Sequence, residues 1–151
     1  EISCSLVGSE MCIRDSGMGG TLMTELVSRA YWLKDPAKRL ILQPQSHAED
    51  IRSYLIHNGF KILYEDACTD SGKLYCAMAV EFTGEEQEFS AAYPYTGELP
   101  KCGKPEAKEY LIKIKEHLAK KYEAQQDFGS AHEAERLKLI IDETEALIDE
   151  M

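Results

Sequence analysis

Three short stretches carry residue types and spacings that suit chemistry. Gly17, Met18, Gly19 and Gly20 form a glycine-rich loop, with Thr21 directly after it. Glycines let a backbone approach a ligand closely. The stretch matches neither the GxGxxG dinucleotide pattern nor a P-loop. Gln43-Pro44 closes the apolar run Leu40-Ile41-Leu42. That places it at the carboxyl end of an expected strand, where open α/β sheets bind ligands. Tyr75 lies in the third stretch, where it either stacks on a ligand or fills a strand position. No Ser/His/Asp or Cys/His order suits nucleophilic catalysis. His47, His57, His117 and His132 are expected as solvated side chains on helix surfaces. Cys68 and Cys76 flank a turn and are expected to face each other as buried thiols.

Composition bounds the possibilities. The chain has 151 residues, 29% charged and 44% hydrophobic, which is ordinary for a globular protein. Seventeen basic against 27 acidic residues give net −10, which excludes a generally basic nucleic-acid binder but not a local basic patch. Such a patch exists. Residues 101–128 hold seven lysines against five acids, net +2, whereas residues 129–151 are net −5. Lys113, Lys120 and Lys121 in the basic stretch are candidates for phosphate contact. The competing reading is a solvated face with interhelical ion pairs. No apolar run approaches the ~20 residues of a membrane span, so no membrane partner is expected. Five cysteines without CxxC, and with no His at ligand spacing, argue against a disulfide scaffold or a metal site. Reduced thiols suit a cytoplasmic protein. No secretory signal is legible.

These residues need elements to hold them. Leu22, Leu26 and Ala30 keep helical spacing, so 21–33 reads as a helix. The run 40–42 reads as a buried parallel strand. Ser46 and Glu49 have the spacing of a capping box for a helix with Ala48, Ile51 and Leu55 on one face. Asn58-Gly59 ends it. Residues 60–67 and 73–82 read as strands joined by the turn Asp70-Ser71-Gly72. The expected fold class is α/β: the C-terminal half of a mostly parallel sheet with an antiparallel edge, over residues 17–82. Glycines and prolines mark 83–104 as a linker. Two apolar stripes then predict an antiparallel helical hairpin over 105–151. One stripe is Ala107, Leu111, Ile114, Leu118 and Tyr122; the other is Ala134, Leu137, Ile141, Thr144, Ile148 and Met151. Gly129 separates them, and Ser130 with Glu133 has capping-box spacing.

Residues 1–16 show neither period. Leu6 through Ser16 match the translation of a transposon-end adapter used in sequencing libraries. Residues 1–16 are therefore expected to be a non-native scar, with Cys4 and Cys12 lacking functional meaning. The alternative is a native N-terminal strand.

From Ser16 to about Ala79 the series SGMGG-TL, LILQP, IRSYLIHNGFKI and E-DACTDSGKLY resembles the bacterial tRNA (adenine-22-N1)-methyltransferases. The likeness continues more weakly through GELPKCGKPEAKEYL. It implies a Rossmann-like methyltransferase domain before a helical domain, S-adenosyl-L-methionine as cofactor and tRNA as partner. By this resemblance Gly17, Met18, Gly19 and Gly20 border the methyl donor, and Thr21 borders the adenine. Gln43 and Pro44 line the same cleft from the next strand. The implied reaction is in-line attack of adenine N1 on the sulfonium methyl, with the base taken out of its stack.

Two departures qualify the resemblance. Cys76 stands where the family usually has an acidic residue after the hairpin Tyr. The family's first strand, its glycine-rich turn and its ribose-holding acid have no counterpart before Gly17. The chain is thus expected to be a carboxyl-terminal fragment, inactive alone and a poor binder of the cofactor. No residue is assigned as acid or base. Two alternatives remain: a non-catalytic interaction module that uses the hairpin, and a Rossmann-like methyltransferase with another substrate.

Overall fold

The computed structural model describes residues 3–7, 10–14 and 18–151, with side chains for 18–126 and 129–151. Gly17 lies outside the described residues. Five strands form one sheet: β1 (Ser3–Val7), β2 (Glu10–Arg14), β3 (Arg39–Leu42), β4 (Phe60–Asp70) and β5 (Lys73–Phe82), in the order β1-β2-β3-β5-β4. Strand β2 runs parallel to β3, and β5 runs antiparallel to both β3 and β4. β1 and β2 fall within residues 1–16, and β2 takes the sheet position beside Leu40–Leu42.

The expected antiparallel edge is corrected here. The antiparallel strand β5 is inserted between β3 and β4, so the edge strand β4 is itself parallel to β3. The cause is local. A two-residue turn with Ser71 at φ 50° and Gly72 at φ 75° folds β5 straight back along β4. β5 thereby fills the gap beside β3.

A bulge between Ile62 and Tyr64 shifts β4 by one residue against β5. Ile62 and then Glu65 and Ala67 therefore share the covered face, while Tyr64 turns to solvent. Helix α1 (Gly20–Arg29), followed by a 3-10 turn at Tyr31–Leu33, and helix α2 (Ala48–His57) cover that face. Their core joins Met23, Val27, Ile51 and Leu55 to Leu40, Leu42, Phe60, Ile62, Met78 and Val80 of the sheet. The continuous helix expected to residue 33 instead breaks at Ala30, whose N–H still bonds Leu26 and Val27.

Residues 83–104 join the sheet to the hairpin, and they also pack. They contain a short helix α3 (Tyr93–Thr96) and a 3-10 turn at Leu99–Lys101. Ala92, Thr96 and Leu99 are buried. Helices α4 (Pro105–Phe128) and α5 (Ala131–Glu150) make the expected antiparallel hairpin. Ala107 and Leu111 of α4 meet Ala67 and Cys76 of the sheet, which seats the hairpin against the β4–β5 ribbon. In α5 the buried position is Ile140, with the expected Ile141 only half-buried. Ser130 is the N-cap residue of α5, but its side chain makes no capping bond.

Candidate functional site

The glycine loop and the segment after β3 close against each other at the carboxyl ends of two parallel strands. The Gly20 N–H donates to the Ser46 carbonyl at 2.6 Å, and the Gln45 N–H donates to the Met18 carbonyl at 3.1 Å. A Cβ on Gly20 would overlap the His47 carbonyl oxygen, and one on Gly19 would lie 2.7 Å from Ser46 Oγ. Gly20 is therefore required by backbone contact, whereas at Gly19 the Ser46 hydroxyl alone would have to give way. The Thr21 hydroxyl donates to Asp50 Oδ2 at 2.6 Å, tying the first turn of α1 to the first turn of α2. Met18 and Pro44 are buried, Gly19 and Gln43 are half-buried, and Thr21 is exposed.

The start of α2 differs from expectation. Its N-cap is His47, in the left-handed region at φ 51°, and no side chain caps it. The Ser46–Glu49 capping box is thus corrected. Ser46 instead gives its carbonyl to Gly20, a bond that requires the chain to turn at His47. A non-glycine residue in that conformation is strained, and the loop contacts hold it there.

Tyr75 and Lys113 come together. They line a cleft of about 490 Å³ between the β4–β5 turn and α4, and Gln45 lines its far side. The cleft thereby adjoins the glycine loop through Gln45 and Met18. Lys113 pairs with Glu109 at 3.0 Å on its own helix. Lys120 and Lys121 are exposed, and they have no ion pair among the described residues. They lie about 10 Å further along α4 at 1.5 Å per residue, outside the cleft. The four histidines are exposed, as expected.

Cys68 and Cys76 do not face each other. Cys68 pairs across the ribbon with Tyr75, and Cys76 pairs with Ala67. The one-residue offset puts the two thiols on opposite faces, so Cys68 is exposed and Cys76 buried. Among the described residues no group of three metal-ligating side chains occurs. No helix there is long and apolar enough to cross a membrane.

Sequence reasoning missed a buried polar node. Arg52 and Glu65 form a buried pair, with side chains 1% and 0% exposed. Arg52 Nε and Nη2 donate to Glu65 Oε1 at 2.9 and 2.8 Å. Its Nη1 donates to the Pro94 and Tyr95 carbonyls, both at 3.1 Å, and Nη2 also reaches Cys76 Sγ. Glu65 Oε2 accepts the Glu98 N–H at 2.6 Å. Burial opposes the charge on Arg52, yet Glu65, Cys76 and Tyr110 around it raise its pKa above the ordinary value. Burial pushes the Cys76 thiol up, and that thiol donates to the Tyr110 hydroxyl at 3.4 Å. The node joins α2, the sheet, the 94–98 segment and α4. A signal was present: Arg52 stands four residues after Ala48 and three before Leu55, on the apolar stripe. Its partner was hidden by the β4 bulge.

The comparisons agree with this architecture. The family model described as tRNA (adenine(22)-N(1))-methyltransferase, TrmK, matches residues 10–149. A Streptococcus pneumoniae structure, Sp1610, described as a putative tRNA (m1A22) methyltransferase, is 27% identical over 94% of this chain and 61% of its own, with TM-score 0.67. Its complex with S-adenosyl-L-methionine matches at 28% identity over 88% and 60%, with TM-score 0.66. A Streptococcus agalactiae protein of the NADB-Rossmann superfamily matches at 23% identity over 93% and 59%, with TM-score 0.69. The fold is accordingly Rossmann-like with a helical C-terminal part. The chain spans only 59 to 61% of the length of these relatives. No curated protein matches significantly.

Proposed function

The chain belongs to the TrmK family of tRNA (adenine(22)-N(1))-methyltransferases, and from that premise we propose that it carries the substrate-facing part of such an enzyme. The reaction is transfer of a methyl group to N1 of an adenine in tRNA, in the cytoplasm. The observation that carries this reading is the joining of two loops at the carboxyl ends of β2 and β3, beside a cleft flanked by the basic helix α4. In an open α/β sheet that is the place for a ligand. S-adenosyl-L-methionine supplies an electrophilic methyl on its sulfonium.

The described residues fit the rim of a site for that donor and not a full cradle. The faces of Gly19 and Gly20 are closed by Ser46 and His47, so the loop offers an edge and not a hollow. Met18, Gly19 and Gly20 would border the donor. Thr21, held by Asp50, would border the base, and Gln43 and Pro44 would form the adjoining wall. Their work is positioning, which is most of what in-line methyl transfer requires. Tyr75 and Lys113 extend the substrate surface, and Lys120 and Lys121 continue it along α4.

A fluorescence anisotropy titration with unmodified tRNA, against duplex DNA of matched charge, tests this reading. Tighter binding of tRNA at moderate salt is expected. Equal binding of both, or none, contradicts it.

A further inference from the structure

We propose that the cleft between the β4–β5 turn and α4 is a subsite for one nucleotide of the RNA strand, adjacent to the target base. This rests on the function proposed above and extends it to residues that sequence reasoning did not select, Gln45 and Lys73.

The lining joins cationic, amide and aromatic groups to apolar ones and holds no acid. Gln45, Lys73, Leu74, Tyr75, Tyr110 and Lys113 contribute, and no carboxylate does, although the whole chain carries net −10. Two acids sit just outside the lining: Glu109 holds Lys113 on the helix surface, and Asp70 is the cross-strand neighbour of Lys73. Three polar ends have no hydrogen-bond partner among the described residues: the Gln45 amide, the Lys73 ammonium and the Tyr75 hydroxyl. Tyr110, by contrast, is engaged by Cys76 and forms part of the floor. In front of Gly72 the space is open, since a Cβ there would meet nothing within 4 Å.

That set matches a nucleotide part by part. Lysines are point charges for phosphate. An aromatic ring stacks on a base of any identity. An amide offers both donor and acceptor to a base edge. At about 490 Å³ the cleft lies within the range of small-ligand sites. Its position is fixed by the Gln45 N–H bond to Met18, which puts its inner end against the glycine loop.

The test uses the chain itself and fluorescent tRNA over a salt series, with K73A, Y75A, Y75F and the double variant K120A/K121A. K73A is expected to weaken binding and lower the log–log salt slope by about 0.7 to 0.9, the share of one phosphate. Y75A is expected to weaken binding about five- to a hundredfold with the slope unchanged, and Y75F to weaken it less than Y75A because the stacking ring remains. Lys73 is exposed, so K73A decides the matter whatever Tyr75 contributes to packing. If K73A binds as the parent does while K120A/K121A loses slope, the cleft inference is overturned and the proposed function stands. If the parent itself binds no tRNA, the proposed function fails and takes the cleft with it.

Discussion

Helix α2 is fastened at two places by opposite means. At its amino end the fastening is backbone against backbone: Gly20 on the Ser46 carbonyl, with no room for a side chain. At its middle the fastening is a charged side chain, Arg52, with all five guanidinium donors directed at Glu65, two carbonyls and a thiol. The first place borders the proposed ligand surface. The second is sealed from solvent and connects the sheet to the hairpin. The contrast separates two roles, shaping the site and fixing the body that presents it.

The larger energy sits at the buried node. Replacing Arg52 by Ala leaves Glu65 charged and unpaired, and is expected to cost about 3–5 kcal/mol. Denaturant unfolding measures this. The double variant Arg52→Met with Glu65→Leu should recover most of the loss, because it leaves no orphaned charge. A double variant as weak as the single one would mean that packing, not desolvation, sets the cost.

The loop junction should give a smaller effect. Gly20→Ala forces a methyl group into the His47 carbonyl, so the loops must part, at about 1–3 kcal/mol. Chemical shifts at Thr21 and Asp50 should move with the loss of stability. If the unfolding midpoint is unchanged, the loops are not closed as described.

The smallest effect belongs to a surface pair. Lys104 and then Cys102 bond the Asp66 carboxylate and hold its pKa below the ordinary 3.8. A depressed folded-state pKa contributes stability that is present above the unfolded value and lost as pH falls through the folded one. In Lys104→Ala the Asp66 titration, followed by NMR, should move up toward 3.8. The melting temperature should differ from the parent above about pH 4 and converge with it below.

These contrasts also show what the sequence can reveal. Strand β3, helix α2, the β4–β5 ribbon and the hairpin follow from periodicity, because each buries one regular face. Gly19 and Gly20 were legible as special positions, since a missing Cβ leaves its mark in the sequence itself. The His47 turn was not, because Ser46 with Glu49 imitates a capping box and only the tertiary bond to Gly20 overrides it. The Arg52–Glu65 pair was hidden for another reason. The bulge at Leu63 breaks the two-residue alternation, so Glu65 reads as a solvent-facing residue while it is fully buried. The insertion of β5 inside the sheet is a pairing choice that local patterns do not encode. Of the candidate site, Tyr75 and Lys113 were found by type, and their sharing of a cleft with Gln45 required the fold.

If α4 and the strand-end cleft present this chain to RNA, the salt dependence of tRNA binding reports it most directly. The chain is compared with its Lys113→Ala, Lys120→Ala, Lys121→Ala triple variant. Removing one lysine–phosphate pair lowers the log–log slope by about 0.9. The triple variant is therefore expected to show a slope smaller by about two to three units, with weaker binding and no change in preference among tRNAs. An unchanged slope and affinity would show that the three lysines are only a solvated face, and that the hairpin serves some other partner.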